Sequence, residues 1–198
     1  MSARSCREAC DLDAVSGAAY PRRMGPIART AHEQDAPDIA RNGTSSMRAQ
    51  YQGLVDPAAI EAAVVQSYAL DALIDCIDRC KRSQTAHFLV AEIDGTVAGY
   101  LHYDDFGEEP ELHRIYVDPG VRRSGVGALL LTELHARLSP QAHYMLLVLE
   151  GNDRAINFYQ RHGFAIDTPV DGLTYYRDRM GVTFREDTQP FRLVLMRR

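Results

Sequence analysis

The segment at residues 111–137, ELHRIYVDPGVRRSGVGALLLTELHAR, constrains the fold of this 198-residue chain more than any other stretch. The apolar run at 112–117 predicts a strand, and Asp118, Pro119 and Gly120 predict a turn directly after it. Apolar side chains then recur at helical spacing, at Val126, Leu129, Leu130, Leu134 and Leu138. We therefore expect a strand, a glycine-rich loop and an amphipathic helix in this order, with the glycines in the first turn of the helix.

The glycine-rich loop has the composition of a pyrophosphate-binding site. Glycine lacks a Cβ, so a ligand can lie against the backbone, and the unpaired N–H groups of a helix's first turn attract anionic oxygens. Arg122 and Arg123 add positive charge directly before Gly125 and Gly127. The loop therefore predicts a phosphate-binding function, and an ordinary surface loop with two arginines is the alternative.

Two other phosphate-binding motifs do not fit this loop. A dinucleotide-binding motif needs a glycine directly after the strand and a third glycine later, but Leu130 stands at the third position. A P-loop needs Gly-Lys followed by Ser or Thr, and the chain contains no such run. An oxidoreductase with a dinucleotide at these glycines is therefore a disfavoured alternative.

A second motif follows the helix. The apolar run at 144–149 predicts another strand, and the segment NDRAINFYQRHGF at 152–164 comes directly behind it. Asn152 is a typical N-cap and Gly163 a typical helix stop, so a short helix is expected between them. The chain thus combines a strand, R-x-x-G-x-G, a helix, a second strand and N-x-x-A-x-x-F-Y-x-x-x-G-F.

This combination resembles the GNAT N-acetyltransferase superfamily, whose members move an acetyl group from acetyl-CoA to an amine. The resemblance extends over roughly residues 25–198 and is specific at 111–164; residues 84–130 look most like the spermine/spermidine acetyltransferase branch. It implies an α/β (α+β) fold: a mixed, mostly antiparallel sheet of about six or seven strands with a splayed parallel central pair, flanked by helices. Residues 25–198 are expected to form one domain, preceded by a disordered extension at 1–24.

The resemblance implies catalytic roles for three side chains. Tyr159 occupies the place of the tyrosine that protonates the CoA sulfur, and a core tyrosine beside Phe158 is the alternative. Glu111 occupies the place of the strand glutamate that acts as base in histone-acetylating members. His113 shares a strand face with Glu111 and is a second candidate base, and an ordered water is a third. Leu147 stands where ribosomal-protein acetyltransferases carry a catalytic glutamate, which argues against their mechanism.

The resemblance also implies which residues contact acetyl-CoA. They lie in the strand at 112–117, in the glycine-rich loop with the start of its helix, and in the helix that follows Asn152. No metal ion is expected. The implied cofactor-binding residues are Ile115, Tyr116, Val117, Arg122, Arg123, Ser124, Gly125, Val126, Gly127, Ala128, Asn152, Ala155 and Tyr159.

The chemistry of acetyl transfer needs a neutral amine, because an ammonium has no lone pair. An alkyl amine has a pKa near ~10.4, so a base must take its proton. The acidic stretch with Asp104, Asp105, Glu108 and Glu109 favours a cationic acceptor, such as a polyamine-like small molecule or a peptide, attacked directly in a ternary complex. A non-catalytic acyl-CoA-binding module and a peptide or protein N-terminal acetyltransferase are the alternatives.

The charge and the apolar runs of the sequence bear on two kinds of partner, nucleic acid and membrane. The net charge is −5 and no basic tract occurs, so nucleic acid is not an expected partner. No apolar run reaches the roughly 20 residues of a membrane span, and residues 1–19 lack the apolar core of a secretion signal. We expect a soluble cytoplasmic protein with no membrane contact. Its oligomeric state stays open, with a homodimer paired through the C-terminal strand as one form.

The four cysteines form two C-x-x-x-C pairs, Cys6 with Cys10 and Cys76 with Cys80. The second pair lies in a helical pattern, where positions i and i+4 share a face. No histidine accompanies either pair at a zinc-like spacing, so we expect reduced packing or surface thiols. Zinc bound across both pairs is the alternative.

The remaining segments predict elements around this centre. A strand is expected at 26–29, a short helix at 35–40 and an acceptor-lining helix and loop at 47–55. Helices are expected at 57–68 and 69–81, the first capped by Asp56 and the second opened by Asp71. Strands at 87–92 and 96–103 flank Asp94-Gly95, a strong hairpin signal. Residues 165–189 carry no readable pattern, and a closing strand is expected at 191–196.

Overall fold

The structure is a computed structural model that describes residues 25–53, 56–121, 123–180 and 189–198. The extension predicted at residues 1–24 therefore lies outside the described residues. The strands are β1 (Ile27–Thr30), β2 (His87–Ile93), β3 (Thr96–Asp104), β4 (Glu111–Val117), β5 (Met145–Leu149), β6 (Ala165–Asp171) and β7 (Arg192–Arg197). The helices are α1 (Ala36–Tyr51), α2 (Pro57–Ser67), α3 (Leu70–Arg82), α4 (Val126–Arg137), α5 (Asp153–Arg161) and α6 (Gly172–Met180).

The seven strands form one mixed sheet in the order β1-β2-β3-β4-β5-β7-β6. In the described part of the chain, β4 and β5 pair in parallel and every other neighbouring pair is antiparallel. The parallel pair lies in the centre of the sheet, with helices on both faces. This arrangement confirms the predicted fold class.

Each face of the sheet carries its own apolar core. On one face, α4 packs its buried leucines against the sheet, which explains the helical spacing seen in the sequence. Helices α1, α2 and α3 cover the opposite face. The α4 face includes Leu101, Leu130, Leu134, Leu146 and Met196, and the α1–α3 face includes Ile39, Leu73, Ile77, Phe88 and Tyr100.

Helix α1 differs most from expectation, because it spans 16 residues where a short helix at 35–40 was predicted. Its middle contains Gly43, a poor helix former. A Cβ at Gly43 would lie 2.2 Å from the Tyr68 ring and 2.6 Å from the Tyr100 hydroxyl oxygen. Close packing against the Tyr68–Tyr100 hydrogen-bonded pair therefore stabilises a helix that local propensity disfavours.

Other boundaries show where local signals succeed and fail. Asp56 caps α2 as predicted, since its side chain accepts a hydrogen bond from the Ala58 N–H. The expectation that Asp71 opens α3 was wrong, because Ala69 is the N-cap residue. Residues 165–180, which carried no readable pattern, form β6 and α6. None of the described helices has the length and apolar character that a membrane crossing needs.

Candidate active site

The two central strands β4 and β5 diverge to form a cleft. In the described residues their pairing consists of one register position, Glu111 opposite Met145, supported by a hydrogen bond from the Met145 N–H to the Pro110 carbonyl. The other edge of β4 is paired with β3 along its length. Beyond Glu111, the edge of β4 that faces β5 is therefore open to a ligand with an extended backbone.

The N-terminus of α4 lies where β4 ends. Gly125 is its N-cap residue with φ 84°, and Arg123 also has a positive φ of 69°. The first intrahelical hydrogen bond runs from the Leu129 N–H to the Gly125 carbonyl, so the preceding N–H groups face the helix N-terminus. We call the main chain of residues 123–128 the α4 cradle. Arg122, predicted to hold the pyrophosphate, lies outside the described residues.

Close packing fixes the position of this cradle. A Cβ at Gly99 of β3 would lie 2.7 Å from the Tyr116 carbonyl oxygen and 2.8 Å from Val126 Cγ1. Only a glycine therefore lets the first residue of α4 sit this close to the sheet. By contrast, a Cβ at Gly125 would meet no atom within 4 Å, which leaves space for a ligand against the cradle.

The N-terminus of α5 faces the cleft from the other strand. As predicted, Asn152 caps this helix: its Oδ1 accepts a hydrogen bond from the Ala155 N–H at 3.2 Å. Its Nδ2 is buried and has no partner, one of three such side-chain atoms in the described residues. A buried unpaired amide costs about 1–3 kcal/mol, so a carbonyl acceptor here would be stabilising. The amide carbonyls of a pantetheine arm fit that requirement.

Tyr159, the predicted acid, is buried on α5. Its ring packs edge-on against Phe158 and Phe164. Burial raises the pKa of its phenol above the usual value, which keeps the hydroxyl protonated at neutral pH. The side chain therefore meets one requirement of a proton or hydrogen-bond donor, and its catalytic role stays a prediction.

Glu111, the predicted base, is buried at the start of the cleft. Its two carboxylate oxygens accept hydrogen bonds from the Tyr175 hydroxyl at 3.1 and 3.3 Å, and Oε1 lies 3.4 Å from His113 Nδ1. Tyr175 belongs to α6 and is a functional candidate that the sequence did not indicate. Sequence reasoning had no signal for it, because the contact joins residues 64 positions apart.

Glu111 is the first of a row of carboxylate and imidazole side chains that contact one another. His113 Nε2 lies 3.0 Å from Asp104 Oδ1, and His102 Nε2 lies 3.1 Å from Asp104 Oδ2. The two imidazole rings stack 4.9 Å apart. We call Glu111, Tyr175, His113, Asp104 and His102 the Glu111 cluster.

The pKa of His113 decides whether this candidate base can act at neutral pH. Burial lowers the pKa of His113, but hydrogen bonds to Asp104 and Glu111 outweigh it and raise this pKa to about 9. Burial opposes ionisation of Asp104, but hydrogen bonds from His102 and His113 bring its pKa below the usual range. At neutral pH His113 is therefore an imidazolium, which cannot accept a proton.

A β-bulge interrupts the strict alternation of side chains that was expected along β4. Strict alternation predicted that Glu111 and His113 face one side of the strand and Arg114 the other. Instead, His102 pairs with Arg114 and Tyr103 with Leu112, so His113 is the extra residue of a bulge. The bulge brings His113 beside His102 while keeping it in contact with Glu111.

The acidic stretch before Glu111 is less exposed than expected. Asp104 is buried between two histidines, and Glu109 forms an ion pair with Arg197 at 2.9 Å. These two carboxylates are thus neutralised locally instead of forming a free acidic rim. The electrostatic argument for a cationic acceptor is weakened accordingly.

The same region contains two free thiols. Cys76 Sγ lies 3.4 Å from His102 Nε2, and Cys80 is buried one helical turn further along α3. The sequence offered no histidine near these thiols. The fold supplies one from β3, 26 positions away from Cys76.

Comparisons with known proteins agree with this fold. The model of the acetyltransferase (GNAT) domain matches residues 84–166. The spermidine N(1)-acetyltransferase of Thermoplasma acidophilum is 23% identical over 148 residues, which cover 74% of this chain and 91% of that protein.

Solved structures share the fold. The PaiA N-acetyltransferase of Thermoplasma acidophilum, in complex with coenzyme A, has a TM-score of 0.70 at 20% identity and covers 88% of this chain and 99% of its own. YncA of Salmonella typhimurium, solved with its cofactor acetyl-CoA, has a TM-score of 0.62 at 18% identity, covering 88% of this chain and 94% of its own. Residues 84–166 of this chain therefore carry an acetyltransferase (GNAT) domain.

Proposed function

We propose that this protein transfers an acetyl group from acetyl-CoA to the primary amine of a polyamine-like small molecule or a peptide. The observation that carries the proposal is the position of Glu111. Its carboxylate lies at the one described register position that joins β4 to β5, where the cleft opens. A base at this point lies where the open edge of β4 begins, and its carboxylate accepts a hydrogen bond from Tyr175 of α6.

The α4 cradle is suited to hold the pyrophosphate of the carrier. The N–H groups of Val126, Gly127 and Ala128 and the helix dipole attract anionic oxygens. Ser124 and the side chain of Arg123 add polar and positive groups before the helix. Arg122 belongs to the same proposal, although its placement lies outside the described residues.

The cleft between β4 and β5 is suited to hold the pantetheine arm. The main chain of residues 115–117 offers strand-type hydrogen bonds, since an amide chain can pair with a strand edge. From the other side, the buried Asn152 Nδ2 offers an unused donor, and Ala155 lies beside it in the first turn of α5. Seven residues of β4 span about 20 Å, which suits an elongated arm.

Three groups in the cleft supply the base, the oxyanion donor and the donor to the leaving sulfur. Glu111 accepts the proton of the attacking amine, and His113, protonated at neutral pH, holds the carboxylate in place. A main-chain N–H of β4 stabilises the developing negative charge on the carbonyl oxygen. Tyr159 donates a hydrogen bond to the leaving sulfur; its raised pKa favours hydrogen bonding over complete proton transfer.

The acceptor class rests on weaker support than the cofactor. A relative at 23% identity is named for spermidine, and the Glu111 carboxylate is placed to accept the proton that an alkyl amine must lose. The resemblance places Leu147 where ribosomal-protein acetyltransferases carry a catalytic glutamate, which disfavours that acceptor. We therefore place small amines before protein N-termini.

Coenzyme A release across an amine panel tests the proposal. The panel contains spermidine, amino acids, aminoglycosides and short peptides, with mass spectrometry to identify each acetylated product. We expect turnover with at least one primary amine and a Kd for acetyl-CoA measurable by calorimetry. Binding of acetyl-CoA without turnover on any amine would favour the non-catalytic module, and absence of binding would refute the cradle.

A further inference from the structure

Two thiols of α3 meet an imidazole of β3 outside the cleft. Cys76 and Cys80 are four residues apart and lie on the same face of the helix. Cys80 and His102 are buried, and Cys76 is half-buried. Cys76 Sγ lies 3.4 Å from His102 Nε2, and the three ligand atoms all lie within 4.8 Å of one another.

We propose that Cys76, Cys80 and His102 bind one Zn²⁺ ion. Thiolate sulfur and imidazole nitrogen are ligands that zinc prefers, with bonds of about 2.3 and 2.0 Å. Two such ligands at a tetrahedral angle are about 3.5 Å apart. The observed distance between Cys76 Sγ and His102 Nε2 agrees with this value.

A carboxylate stands beside the three ligands. Asp104 Oδ2 lies 3.1 Å from His102 Nε2, while its Oδ1 is held by His113 at 3.0 Å. Asp104 is thus the nearest further donor for the fourth position. Zinc at His102 Nε2 would replace the contact that this nitrogen makes with Asp104, which leaves Asp104 Oδ2 free to bind the ion or a water on it. Two thiolates balance the charge of the ion, and their protons pass to solvent when it binds.

The surroundings allow an ion to enter and give it a structural role. Cys76 is only half-buried, so solvent reaches one of the two thiols. Zinc held here would link α3 to β3 and fix the position of His102, while Asp104 Oδ1 keeps its contact with His113. The ion is separate from the proposed acetyl-transfer chemistry, so each proposal can fail without the other.

The number of cysteines allows a direct test with Co²⁺, which replaces Zn²⁺ and is visible by absorption. The chain has four cysteines, so a Cys6→Ser/Cys10→Ser double variant keeps only Cys76 and Cys80. We expect this reduced, chelator-treated variant to bind one Co²⁺ per chain, with a thiolate charge-transfer band and the bands of tetrahedral cobalt. Equimolar Zn²⁺ should remove the spectrum. Absence of the thiolate band in this variant would overturn the proposal.

Further substitutions in the same background identify the ligands. Cys76→Ser should weaken the thiolate band, since Cys80 is then the remaining thiolate, and His102→Gln should weaken Co²⁺ affinity by at least about 10²-fold. Circular dichroism without metal checks that each variant is folded. In the parent, Zn²⁺ at 100 times its Kd should raise the unfolding temperature by roughly 5–10 °C. An unchanged spectrum in both variants would show that the metal binds elsewhere and overturn the assignment.

Discussion

The α4 cradle and the Glu111 cluster lie at opposite ends of β4 and are built in different ways. The cradle consists of main chain from six consecutive residues, 123–128, held by local features such as the positive φ of Gly125. The Glu111 cluster consists of side chains from β3, β4 and α6. One site is therefore encoded by a contiguous motif, and the other by the way distant segments pack.

This difference has a physical consequence for substitutions. Main-chain groups persist when a side chain changes, so the cradle is lost mainly through backbone conformation or steric blocking. Side-chain groups disappear with their residue, so the Glu111 cluster is sensitive to single polar atoms. We therefore expect isosteric substitutions to affect catalysis at the cluster, and changes of glycine to affect cofactor affinity at the cradle.

The largest effect is expected at Glu111. Glu111→Gln keeps the shape of the side chain but removes the proton acceptor, so kcat should fall about 10²–10⁴-fold with little change in the Kd for acetyl-CoA. Steady-state kinetics and calorimetry measure the two quantities. Glu109→Gln is the matched control, since Glu109 is a half-exposed carboxylate paired with Arg197. A wild-type kcat for Glu111→Gln would show that the Glu111 cluster does not supply the catalytic base.

The next effect concerns the cradle. Gly125 has φ 84°, where a β-branched residue is strained, and its Cβ position is open. Gly125→Val should therefore raise the Kd for acetyl-CoA about 10–100-fold while kcat at saturation changes little. Gly163→Val introduces comparable strain at φ 88° and an equally open position. If both variants lost the same affinity, general destabilisation would explain the result instead of a damaged cradle.

The same contrast decides what could be predicted from the sequence. The strand, loop and helix around Gly125 and the Asn152 cap were predicted, because helix starts, caps and tight turns depend on neighbouring residues. The parallel central pair followed from the resemblance to a family that those motifs identify. Local chemistry thus sufficed to predict the secondary structure on both sides of the cleft.

The Glu111 cluster was predicted only in part. Glu111 and His113 were recognised on β4, but Tyr175 comes from a segment without a readable pattern. Asp104 was assigned to an exposed acidic stretch, whereas the fold buries it between two histidines. Burial and long-range pairing depend on tertiary packing, and no local pattern reports them. The length of α1 was missed for the same reason, since Gly43 is accommodated by the tyrosines it packs against.

A smaller effect is expected where the cluster positions its base. Tyr175→Phe removes the hydroxyl that donates to both oxygens of Glu111 and should lower kcat/KM about 10-fold, because the carboxylate loses an orienting partner. Tyr144→Phe serves as control, since it removes a buried hydroxyl that is bonded to His135 and not to Glu111. Equal kinetics for the Tyr175 variant and the wild type would limit the cluster to Glu111 and the side chains of β3 and β4.

The smallest effect concerns stability on the α4 side. Burial lowers the pKa of His135 to about 4, and the side chain is hydrogen-bonded to the Tyr144 hydroxyl at 2.7 Å. In the unfolded chain the imidazole of His135 has a pKa near ~6.5, so it is protonated there at a higher pH than in the folded protein. The free energy of unfolding therefore falls as the pH drops from about 6.5 towards 4. Between pH 7.5 and 5.5 the loss should be about 1 kcal/mol in denaturant unfolding. His135→Gln, which keeps a polar group opposite Tyr144, should remove that part of the pH dependence.

The Glu111 cluster holds a histidine whose pKa is raised, and Glu111→Gln should leave this acid-side loss in place. Identical pH profiles for wild type and His135→Gln would mean that the α4 side does not bury a neutral imidazole.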